Sequence, residues 1–72
     1  MSFQAYLDNI QSKTGKTPGE LLALGNAKGF VEAGRLRSDV KAGQVVDWLK
    51  ADFDLGHGHA MAVVAFFKGK RD

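Results

Sequence analysis

Residues Ala60 to Phe67, reading Ala-Met-Ala-Val-Val-Ala-Phe-Phe, are eight consecutive apolar positions. The run falls far short of the ~20 residues that a membrane-spanning helix needs. It is also too apolar on every side to lie along a water-facing surface, so it belongs near the centre of the fold. Val63-Val64-Ala65-Phe66-Phe67 has the composition of a strand. No partner strand is evident elsewhere in the chain, and a lone strand leaves its ladder unpaired. The expectation is therefore a helix from about Gly58 to Lys68. Its larger side, Ala62, Val63, Phe66 and Phe67, faces the core, with His59 one turn earlier on the same side. Met61, Val64 and Ala65 lie on the other side and require cover from another helix or another chain.

The 72 residues around this run allow one domain, residues 1–72, with a small core. The absence of cysteine excludes a disulfide scaffold, a thiolate zinc site and a thiol nucleophile. Met1-Ser2-Phe3-Gln4 has no basic stretch leading into an apolar one, so no signal peptide is expected and the chain reads as soluble and cytoplasmic. A formal net charge of +2 is too small to announce a nucleic-acid binder.

Three more helices are legible before the apolar run. Phe3, Tyr6, Leu7, Ile10 and Thr14 share one stripe, with Ser2 as N-cap and Gly15 as a left-handed stop. Thr17-Pro18-Gly19-Glu20 has the order of a capping box, so a second helix begins at Pro18. Leu21, Leu22, Leu24 and Ala27 form its apolar side. Gly25 weakens it by roughly 1 kcal/mol relative to alanine, and Gly29 ends it with Phe30 folding back. Residues 30–38 read as a connector. From about Val40 the helical period returns, with Ala42, Val45, Val46, Leu49 and Phe53 on one stripe and Trp48 on its flank. Leu55-Gly56 closes this helix, with Gly56 as its left-handed residue. The fold class is thus all-α: four short helices, the fourth central.

Two segments also resemble a known family. One is Ser2-Phe3-Gln4-Ala5-Tyr6-Leu7-Asp8-Asn9-Ile10-Gln11 followed by Lys13-Thr14-Gly15-Lys16-Thr17-Pro18. The other runs from Lys41-Ala42-Gly43 through Trp48-Leu49-Lys50 to Leu55-Gly56-His57-Gly58-His59-Ala60-Met61-Ala62. Together they resemble a bacterial family of small domains of unknown function. The resemblance implies a small helical fold, found both as a free-standing chain and attached to other domains. It implies no activity and no catalytic residue.

The Gly56-His57-Gly58 turn carries the sharpest chemical possibility. Its spacing is similar to a helix-hairpin-helix turn, in which free amides at a helix start hold a DNA phosphate. The plainer reading is a tight inter-helix turn with Gly58 allowing close packing; Asp52 and Asp54 just before it repel phosphate. His57 and His59 make at most half of a metal site, and no further ligand converges on them in sequence. No cofactor is expected. The serines lie in capping or surface contexts and Glu20 already has a capping role, so catalysis is not expected either. Trp48, beside Lys41 and Asp52, is either a core cap or a partly exposed contact anchor.

The leading expectation is a non-enzymatic binding module that contacts another protein or a fused domain through Trp48, Met61 and Val64. The competing one is nucleic-acid binding through Gly56, His57 and Gly58 with Arg35, Arg37, Lys68, Lys70 and Arg71. A homodimer through the uncovered side of the fourth helix is a further expectation, and no membrane is expected as a partner.

Overall fold

The computed structural model describes residues 2–70. Among them are α1 (Phe3–Thr14), α2 (Pro18–Ala27), the short strands β1 (Val31–Glu32) and β2 (Arg35–Leu36), α3 (Ala42–Phe53) and α4 (His57–Phe67). The class is mostly α. Packing follows from the apolar octet: α4 lies against α1, α2, α3 and β2. It buries Ala60, Ala62, Val63, Val64 and Phe67. A helix with so little polar surface is stable only with neighbours on several sides.

Local signals start the helices where expected. The Ser2 hydroxyl accepts from the Ala5 N–H at 3.1 Å, and Gly15, at φ 74°, ends α1 in the left-handed region. Thr17 Oγ1 accepts from the Glu20 N–H at 3.1 Å while Glu20 Oε1 accepts from the Thr17 N–H at 2.8 Å. This reciprocal box satisfies two otherwise orphaned amides. The amide of Thr17 above all, then its hydroxyl, holds the Glu20 carboxyl below its ordinary range, with Lys16 adding to the effect.

Five expectations are corrected. Residues 30–38 are not a plain connector: Val31 pairs with Leu36 and Glu32 with Arg35 in an antiparallel hairpin. Its two turn residues, Ala33 and Gly34, have φ of 54° and 79°. Positive φ at both positions matches the twist of the flanking strands. The left-handed residue ending α3 is Asp54, at φ 55°, and not Gly56, which is extended at φ −69° and is the N-cap of α4. Aspartate tolerates this region better than most residues, and the reversal there delivers Leu55 into the core. On α2, Leu24 and Ala27 are exposed, so the buried side is narrower than the sequence suggested.

The fourth correction concerns Gly25, which does more than weaken its helix. A Cβ there would stand 2.9 Å from Phe67 Cε2 and 3.1 Å from Val31 Cγ2. The missing side chain lets α2, the hairpin and the end of α4 meet. Gly58 is the reverse. It has no positive φ, and no described residue beyond its own stretch of helix lies within 4 Å of where its Cβ would be, so it is not a packing glycine.

Candidate functional site

The residues expected to make a protein contact separate into covered and open ones. Trp48 is only 8% exposed. Its ring packs against Phe30 and Phe53, with centroids 5.7 and 5.9 Å away. Its Nε1–H donates to Asp52 Oδ2 at 2.9 Å, and Lys28 Nζ lies 3.8 Å from the same oxygen. The exposed-anchor reading of Trp48 is therefore corrected: it caps the core, with its one polar atom satisfied by the carboxylate a turn later. Val64, 1% exposed, is likewise a core residue and not part of an uncovered patch. Met61 alone of the three is open, at 38%.

Met61 does not stand by itself. With Met61 as origin and 100° per residue, His57, Ala65 and Lys68 fall within about 40° of it around the helix, and Gly58 and the buried Val64 lie about 60° to either side. His57, Gly58 and Lys68 are exposed and Ala65 half-buried. The central helix of the fold thus keeps one open stripe, with an unbranched thioether at its middle and small residues on either side. The spacing was visible in the sequence; which of Met61 and Val64 is covered depended on where α1, α2 and α3 pack.

The residues considered for nucleic-acid contact are not brought together into one patch. Gly56, His57 and Gly58 lie at the start of α4, while Lys68 and Lys70 follow its end. The 11 residues of α4 separate the two ends by about 16 Å. Arg35 belongs to the far end as well, since a Cβ on Gly69 would meet its Nη2 at 2.8 Å. Arg37 forms a two-pronged pair with Asp39, Nε to Oδ1 at 3.1 Å and Nη2 to Oδ2 at 3.0 Å. The Lys70 ammonium sits 5.3 Å from the centroid of Phe3. Arg71 lies outside the described residues. At the turn itself, Gly56 has no side chain to cap α4.

His59 packs edge-on against Tyr6 with ring centroids 5.3 Å apart, joining α4 to α1. Its Nε2 is buried without a hydrogen-bond partner. Among the described residues no group of three or more histidines, aspartates and glutamates could hold a metal ion. The apolar seam lined by Leu7, Pro18, Leu21, Val63 and Phe66 is too tight for a water molecule. A wider but open hollow of about 270 Å³ lies over Lys16, Glu20, Ala23 and Leu24. Leu24, 37% exposed, was missed as a surface residue because leucine at helical spacing reads as core. No helix among the described residues is long and apolar enough to cross a membrane.

The chain belongs to the DUF4287 family, a domain of unknown function, whose model matches residues 2–69. No curated protein and no solved structure matches it.

Proposed function

We propose that this DUF4287 domain is a cytoplasmic, non-enzymatic binding module that docks another protein or a fused domain through the open stripe of α4. The observation that carries the reading is Met61: one large apolar side chain left exposed in the middle of the most enclosed helix. Methionine adapts its shape to a partner surface at little strain, and the neighbouring Gly58 and Ala65 leave shallow space beside it.

The test places a photoreactive amino acid at position 61 in cells, with Lys13 on the exposed side of α1 as the control position. The expected result is one discrete adduct at position 61, absent at position 13. Excess unlabelled domain should compete for it, and excess Met61→Lys domain should not. No adduct above the control contradicts the reading. A labelled duplex whose mobility shifts in a steeply salt-dependent way, with no protein adduct, would replace it by nucleic-acid binding.

A further inference from the structure

We infer that the partner of the α4 stripe is a second copy of this chain, the two helices running antiparallel about a two-fold axis close to Met61. The inference rests on the reading of that stripe as the docking surface and adds the identity of its occupant. The argument is one of self-complementarity, which a two-fold contact demands because the same patch serves both sides.

Shape comes first. A pairing centred on Met61 places each residue a given number of positions after it opposite the residue that number before it on the other copy. The Met61 side chains then meet near the axis, each beside the hollow at Gly58 and the short side chain of Ala65 on the other copy. Apart from its chain neighbours and the backbone of α4 itself, no described residue comes within 4 Å of a Cβ at Gly58.

Charge points the same way. Lys68 is exposed at the C-terminal end of the stripe, and Asp54 is exposed in the turn that leads into its N-terminal end. The ion pairs among the described residues are Lys28–Asp52 and Arg37–Asp39, so neither Asp54 nor Lys68 is ion-paired with another described residue. Antiparallel pairing brings Lys68 of each copy to the Asp54 end of the other, giving two ion pairs by symmetry. Parallel pairing would set like charge against like. Asp54, the left-handed cap of α3, precedes α4 by only Leu55 and Gly56, so the charges match end to end of α4. One helical face from each copy is smaller than a standard interface of roughly 1,200–2,000 Å², which makes the pairing a weak, concentration-dependent one.

Sedimentation equilibrium of the full chain, from tens of micromolar to about 2 mM, tests this. The wild type should approach twice the 7.8 kDa chain mass, and Met61→Lys should stay monomeric with an unchanged circular-dichroism spectrum. Asp54→Lys and Lys68→Asp should each weaken pairing about tenfold or more, because two attractive pairs become repulsive. An equimolar mixture of these two variants should regain it, since each reversed charge then meets its opposite. Asp54→Asn, which keeps a side chain tolerant of the left-handed region, should also weaken pairing and so separates charge from backbone strain. A wild type that remains monomeric to 2 mM overturns the self-pairing, as does a dimer indifferent to both charge reversals and to Met61→Lys. In either case a position-61 adduct at the mass of another protein would leave the docking reading standing, whereas loss of that adduct alone would count against the docking reading itself.

Discussion

Two sides of α4 show opposite uses of similar residues. On the covered side, Val64 is sealed and Phe67 presses against Gly25, where a single added carbon would collide at 2.9 Å. On the open side, Met61 reaches solvent and Gly58 has empty space around it. Both sides carry large apolar side chains and each has a glycine beside them. The difference lies in what the rest of the chain brings to each side, and within the chain only Gly25 is there to admit a neighbour.

That contrast breaks most readily at the two glycines. Gly25→Ala should cost about 1–3 kcal/mol, because Phe67 and Val31 must shift to make room. Gly58→Ala should instead gain up to about 1 kcal/mol from reduced unfolded-state freedom and better helix propensity. Denaturant midpoints of the two variants against wild type decide the matter, and equal losses would mean that the α3–α4 turn is packed as tightly as the α2 corner.

A smaller effect is expected where α2, which helps cover the buried side, is anchored. Thr17→Ala removes the N-cap of α2 and should cost about 1 kcal/mol in chemical denaturation. An unchanged midpoint would mean that the capping box contributes nothing to holding α2 in place.

The smallest effect is one of pH. The Glu20 carboxyl is lowered in the folded chain, chiefly by the Thr17 amide. A carboxyl lowered on folding adds stability that is present above its unfolded pKa and disappears as pH falls through the folded value. Stability of the wild type should therefore decline more steeply on acidification below the ordinary glutamate range than that of Glu20→Gln. Thermal melts across that range check it, and parallel curves would remove Glu20 as a contributor.

Much of this fold is written in local signals. The stripe from Phe3 to Ile10, the Thr17–Glu20 box and the all-round apolarity of Ala60 to Phe67 each act within one element, and each was legible. The hairpin was not, because strands of two residues are too short to show alternation. Its one cue was Ala33-Gly34, a two-residue turn between Glu32 and Arg35 with Val31 and Leu36 outside it. Asp54 was overlooked as the end of α3 because glycine two residues later is the commoner left-handed residue. Gly25, Trp48 and Val64 depended on long-range packing: the chain's local pattern does not say that Phe67 returns to Gly25 or that Phe30 closes over Trp48. For the candidate site, Met61 was legible as apolar surface, but its isolation from Val64 and the separation of the basic residues from the Gly56–Gly58 turn emerged only from the fold.

The central claim is that one side of α4 is sealed and the other open, and Met61 and Val64 sit three residues apart on either side of that boundary. Equilibrium denaturation of Met61→Lys and Val64→Lys, each at a concentration low enough to keep the chain monomeric, tests it directly. Met61→Lys should lie within about 0.5 kcal/mol of the wild type, as a surface substitution does. Val64→Lys should lose cooperative unfolding altogether, because a buried ammonium without a partner costs more than a domain of this size can withstand. Comparable losses in the two variants, or a stable Val64→Lys domain, would contradict the account.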